Sequence, residues 1–155
     1  MDEKYRRAVD AAAIFSETDL GGSITYVNDL FCQISGYSRD ELIGANHRML
    51  SSGLHPPEFF SELWQTISQG RVWKGEICNR AKDGSLYWVD STMVPLMDQR
   101  SGKVMRYVSI RFDVSEKRQL LHSLQWRVRT DGLTRLSHQR LLCPILRPGL
   151  LFSRR

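Results

Sequence analysis

The spacing of apolar and polar positions changes several times along the chain. Residues 14–19 (IFSETD) and 24–27 (ITYV) are short β-type runs on either side of Leu20-Gly21-Gly22-Ser23. Paired glycines supply the positive φ angles of a tight hairpin. After Val27, Asn28 and Asp29 are placed to cap a short helix, LFCQIS, which Gly36 closes. Ser38 is placed to cap another, SRDELIG, with Glu41 three residues on as in a capping box. A longer helix is predicted from Pro56-Pro57 to Gly70, since proline suits a first turn. Phe60, Leu63, Trp64 and Ile67 follow at i, i+3, i+4 and i+7 and form one apolar stripe.

Three β-type runs come next. VWKGEICNRA is followed by the turn Lys82-Asp83-Gly84-Ser85, SLYWVDSTMVP by the turn Gln99-Arg100-Ser101-Gly102, and then comes VMRYVSIRFDV. Two strands, small helices, one longer helix and a three-stranded meander predict an α+β domain. Residues 1–12 read as a helical segment, 13–114 as the domain, 115–130 as a coupling helix, and 131–155 as a truncated output domain or basic tail. In the coupling helix Val114, Leu121, Leu124 and Val128 form a partial a/d heptad. That stripe suits either a second helix or the helix's own sheet.

Composition narrows the function classes. Hydrophobic residues make up 41% of the 155, enough for a sizeable core. No apolar run approaches a membrane span, and the charged start MDEKYRRAVD lacks the apolar stretch of a signal peptide, so a cytoplasmic location is expected. Cys32, Cys78 and Cys143 share no metal-ligand spacing, so free thiols and no metal site are expected. The net charge of +5 owes much to late arginines without interleaved aromatics, which argues against nucleic-acid binding. No G-x-S-x-G, P-loop or H-E-x-x-H motif is present, and no catalytic constellation is assigned.

The order and spacing of these pieces resemble the PAS family. The matching stretches are ITYVNDLFCQISGYSRDELIGANHRML, LWQTISQGRVWKGEICNRAKDGSLYWV and YVSIRFDVSEKR. The resemblance implies a PAS fold, a five-stranded antiparallel sheet with small flanking helices around a pocket, that senses a flavin, heme, metabolite or partner. Leu63-Trp64, Trp73-x-Gly75 and Asn79-Arg80-x-Lys82-Asp83-Gly84 look most like the flavin-binding branch, which includes aerotaxis transducers and the redox sensor of nitrogen-fixation control. Asp131-Gly132-Leu133-Thr134-Arg135-Leu136 resembles the opening of diguanylate cyclase (GGDEF) domains. The GGDEF motif itself does not occur, so this chain is not expected to make cyclic di-GMP.

Side chains alternate along a strand, so Ile77 and Asn79 share a face. By resemblance Asn79 bonds the pyrimidine edge of a flavin, and an amide suits that edge because it offers donor and acceptor together. A turn-capping asparagine is the alternative. Trp73 is placed by resemblance beside the isoalloxazine, or is an ordinary core tryptophan; Trp64 is carried over with the same motif. Gly44-Ala45-Asn46-His47-Arg48-Met49-Leu50 is similar to the G-x-N-C-R-F-L motif of light–oxygen–voltage (LOV) photoreceptors, with His47 in the place of the adduct-forming cysteine. Light-driven adduct chemistry is therefore not expected, whereas flavin redox chemistry stays open, and His47 is also a candidate heme ligand. His55 reads as a loop residue. Asn28 and Asn46 either reach a pocket or cap helices. Arg111 stands where LOV relatives carry a glutamine, and either stabilises a reduced, anionic flavin or pairs with an acid on the sheet surface, the second being preferred.

The leading expectation is an FAD-binding redox sensor that relays to a C-terminal output domain. FMN or heme are the other cofactors, and a ligand-free dimerisation module is the rival class. A homodimer through the terminal helices is expected, with Tyr5, Ala8 and Val9 beside the coupling helix.

Overall fold

The computed structural model describes residues 2–129. Helix α1 (Glu3–Ala12) leads into strands β1 (Ile14–Thr18) and β2 (Ile24–Val27). Helices α2 (Asp29–Ser35) and α3 (Arg39–Leu42) follow, then a 3₁₀ turn (His47–Leu50) and helix α4 (Pro57–Ser68). Strands β3 (Trp73–Arg80), β4 (Leu86–Met97) and β5 (Val104–Asp113) form the meander, and α5 (Ser115–Arg129) leaves it. The architecture is α+β, a five-stranded antiparallel sheet in the order β2-β1-β5-β4-β3 with helices flanking it. The GGDEF-like stretch lies outside the described residues.

Local chemistry accounts for the small elements. Asn28 caps α2 by accepting from the Phe31 amide, and Gly36 ends that helix in the left-handed region at φ 75°. Ser38 and Glu41 form a reciprocal capping box around α3. The 3₁₀ turn at His47–Leu50 was not anticipated from periodicity. Four residues are too few to show one, and its start depends on the Asn46 side chain accepting from the Arg48 amide.

The core lies between the inward face of the sheet and helices α2 to α4. Phe31, Leu42, Leu50, Ile67 and Val89 are essentially inaccessible to solvent. Each such side chain contributes about 1.5–3 kcal/mol through burial. On the opposite face, α5 is anchored to β4 by its first turn. The Val114 amide donates to the Trp88 carbonyl at 2.9 Å, and the Trp88 amide donates to Ser115 Oγ at 2.8 Å. Beyond that turn Leu120, Leu121, Leu124 and Val128 are exposed, so the stripe of α5 is not spent on the chain's own sheet. Helix α1 lies against β1 and α2, with Arg6 over the Tyr26 ring and Tyr5 exposed.

Candidate ligand cavity

Three serines replace bulk on the inward face of the sheet. Ser16 of β1 pairs in register with Ser109 of β5, and Ser91 of β4 with Arg111 of β5. Small side chains at the centre of a sheet leave space that the helices opposite do not fill. A cavity of about 650 Å³ lies there, within the range of small-molecule sites. Leu63 and Ile67 of α4 wall it on one side, and Ile77, Met93 and Tyr107 of the sheet on the other. Asn46, His47, Trp64, Asn79 and Arg111, singled out in the sequence, all border it.

Arg111 is 4% exposed and forms no ion pair with any described carboxylate. This corrects the preferred expectation of a surface pair. Position 111 falls on the inward phase of β5 with Tyr107 and Ser109, away from the acids of the outer face. Its guanidinium lies 5.5 Å from the Phe31 ring centroid. Burial lowers its pKa to about 10, an effect that Tyr87 partly offsets, so the group is charged at neutral pH. A charge out of water needs a partner, and Arg111 Nε has none among the described residues. Ser91 Oγ and Ser109 Oγ are likewise buried without one. Three unpaired polar atoms on one inward face suit a polar ligand group at that spot.

His47 borders the same space. Its Nε2 lies 3.4 Å from Ser16 Oγ and its ring stands edge-on to Phe31. Burial, and then the nearby Arg111 charge, hold its pKa well below that of an ordinary histidine. Asn79 is buried on β3, opposite Tyr87 of β4, and its side-chain amide has no hydrogen-bonding partner among the described residues. It is therefore not a turn cap. Asn46 is more committed: its Oδ1 accepts from the Arg48 amide at 3.0 Å and its Nδ2 donates to the Gly21 carbonyl at 3.2 Å. Trp64 is 36% exposed at the mouth, edge-on to Tyr107.

Two of the candidates lie away from the cavity. The Asn28 amide is engaged by backbone: Oδ1 accepts from the Phe15 and Phe31 amides, and Nδ2 donates to the Ala13 carbonyl at 2.7 Å. It ties α2 to β1. Trp73 folds back over Gly75, where a Cβ would come within 2.6 Å of the indole, and stands edge-on to Phe59. The W-x-G pair is a packing unit at the start of β3. Cys32 is half-buried on α2 and Cys78 is buried on β3, and neither lines the cavity. Tyr107 and Ser109 were not singled out in the sequence, although alternation through YVSIR puts them on the face of Arg111.

The fold and the cavity together define a sensory module, and comparison gives the family. The model of the PAS domain matches residues 11–116, and the chain belongs to that family. It is similar to the aerotaxis receptor of Escherichia coli K12, 41% identical over 102 residues, 66% of this chain and 20% of the receptor. It is also similar to the nitrogen fixation regulatory protein of Klebsiella pneumoniae, 38% identical over 105 residues, 68% of this chain and 21% of that protein. The chain thus spans about a fifth of the length of these relatives. A solved LOV domain described in work with a flavin analogue superposes with a TM-score of 0.66 at 25% identity, covering 82% of this chain and 98% of that one. PAS domains of this kind serve signal transduction. Among the described residues no helix is long and apolar enough to cross a membrane.

Proposed function

We propose that this chain is a flavin-binding PAS module that reports redox or oxygen status to an output domain, with FAD as the cofactor. The observation that carries the reading is the buried, unpaired Arg111 beside neutral His47 in a largely apolar cavity. The residues fit a flavin. Asn79 offers a free amide to the donor–acceptor edge of the ring system, and Ile77, Leu63 and Met93 give flat apolar contact. When bound, a flavin supplies reversible electron transfer. Arg111 places a positive charge where the ring gains negative charge on reduction, and the apolar walls keep water from screening it. His47, held neutral, adds no second charge. FAD is preferred to FMN by resemblance alone.

The C-terminal relay through α5 rests on the direct run of β5 into α5. The exposed stripe Leu121, Leu124 and Val128 supports a homodimer through that helix. The aerotaxis and nitrogen-regulation relatives support the redox reading, and a cytoplasmic site fits it. Residues 13–114 are taken as the sensory domain and 115–130 as the coupling helix, with the start of an output domain or a basic tail after them.

The deciding experiment is the absorption spectrum of the purified chain, expressed with added FAD, followed by extraction of the chromophore. Yellow protein releasing FAD is expected. Red protein with a heme spectrum overturns the flavin reading, and colourless protein without flavin binding by fluorescence leaves the ligand-free relay module.

A further inference from the structure

His55 occupies an unusual position for a loop residue. Strand β3 is an edge of the sheet, so half of its amides face outward without a strand partner. His55 Nε2 accepts the Cys78 amide of β3 at 2.8 Å. That bond requires an unprotonated Nε2, and therefore a neutral ring carrying its proton on Nδ1. The ring is stacked on Phe59 of α4 at 4.2 Å and stands edge-on to Phe60, which borders the cavity. On its other side it stands edge-on to Trp88 at 5.7 Å.

Trp88 is also the seat of α5. Its backbone bonds Val114 and Ser115, as described above. Its indole face carries the Arg118 guanidinium at 3.6 Å from the ring centroid, and Arg118 in turn donates to Glu76 Oε2 through Nε at 3.1 Å and Nη2 at 2.8 Å. The α5 anchor and the His55 ring therefore share one indole.

We infer that His55 is a pH-sensitive latch that holds the first turn of α5 on the sheet. Protonation at Nε2 turns the acceptor into a donor facing the donor Cys78 N–H, so the bond is lost. It also brings a positive charge near Arg118. From α5 the charged group facing the ring is Arg118. On β3, Glu76 is engaged by Arg118 and the Cys78 thiol is buried; the rings in contact from α4 and β4 are those of Phe59, Phe60 and Trp88. The net change on protonation is repulsive at the anchor, and α5 is released. Burial, with Arg118 second, lowers the His55 pKa from its ordinary value. The latch is therefore closed above about pH 6.5 and opens as pH falls through the lowered midpoint. It acts whatever the cavity holds.

The test is NMR on the full chain in a His122→Gln background, which removes the only histidine of α5. The His55 ring signals and the protection of the Cys78 and Arg118–Leu121 amides against hydrogen exchange, corrected for intrinsic rate, are followed across pH. Protection is expected to fall with the midpoint of the His55 ring, by about tenfold for each unit that the midpoint lies below that of a free histidine. His55→Gln, which keeps an acceptor but cannot titrate, is expected to be flat. Arg118→Gln raises the His55 midpoint. Trp88→Phe keeps the response at Cys78 and weakens it at α5. Flat α5 protection through the His55 transition, or the same fall in His55→Gln, overturns the inference. If His55→Gln does not fold, an unmoved midpoint in Arg118→Gln or an intact α5 response in Trp88→Phe overturns it instead.

Discussion

His47 is kept neutral first by burial and then by the positive charge of Arg111, which borders the same cavity. Buried Arg111, the more exposed Arg48 and one neutral imidazole, with no acid among the described lining residues, bias the space toward anions. Any occupant that gains negative charge is bound more tightly after the gain than before it. The bias belongs to the protein and is measurable through the ligand.

Arg111→Gln is the direct test of that bias. The midpoint potential of bound flavin is expected to drop, by about 30 mV for each factor of ten lost in preference for the reduced form in a two-electron couple. Spectroelectrochemical titration reads the value. An unchanged potential with flavin still bound would show that the guanidinium serves only to fill space.

Asn79→Ala and Trp73→Ala should separate binding from packing. The Asn79 change removes a free amide in the cavity wall and is expected to weaken flavin binding about tenfold, with little loss of stability. The Trp73 change removes a core indole that packs on Gly75 and Phe59, and is expected to cost about 3–5 kcal/mol of stability. Flavin fluorescence titration and denaturant unfolding of both variants make the comparison. Greater loss of affinity in folded Trp73→Ala would return that indole to the site.

The contrast between these two residues shows what the sequence could convey. The strands, the turns and the capping residues were legible because their signals are local: Gly21-Gly22, Lys82-Asp83-Gly84 and the Ser38–Glu41 box each act within a few residues. Asn79 was legible because alternation fixes its face. Trp73 shares that face, yet at the strand's start its side chain turned along β3 onto Gly75. The choice depends on Phe59 of α4, a contact that no spacing encodes. Arg111 was misread for a related reason. Its burial on the inward face, apart from every described ion pair, is a property of the assembled sheet and not of the residues next to it. The 3₁₀ turn that presents His47 was invisible to periodicity because it is one turn long.

Stability should respond to pH through the two depressed histidines. His47 and His55 both have folded pKa values below 6.5, so the unfolded chain binds more protons in the window between those values and 6.5. Stability is therefore expected to be complete above 6.5 and to fall as pH drops through that window. Denaturant midpoints at pH values on both sides of 6.5, for wild type and for His47→Gln, check this. A wild-type profile without slope there would contradict the neutral pair.

Blue light should leave no long-lived thioether adduct. By resemblance His47 takes the place of the adduct-forming cysteine of LOV photoreceptors, and neither Cys32 nor Cys78 lines the cavity. Absorption after illumination of flavin-loaded protein is expected to lack the adduct band. A slowly recovering adduct abolished by Cys32→Ala or Cys78→Ala would reverse this.

Leu121→Asp with Leu124→Asp should shift the chain toward monomer. Both leucines are exposed on α5, 49% and 57%, so within one chain they gain little from burial. Covering a leucine in a dimer contributes about 1.5–3 kcal/mol. Sedimentation over a concentration series is expected to show a wild-type dimer and a mutant monomer. A wild-type monomer at every concentration ends the dimer reading.

The first strand and the last are neighbours at the middle of the sheet, and Ile14 at the start of β1 pairs with Arg111 near the end of β5. The polypeptide therefore enters and leaves the fold at one corner, like a loop drawn closed at its neck. Such a unit can be spliced into a longer chain without stretching what lies on either side. The splice point is also mechanical: α1 and α5 depart from the strand pair whose inward face carries Ser16, Ser109 and Arg111. A strain at the cavity that twists this pair turns both departing helices together, as a torque about the neck.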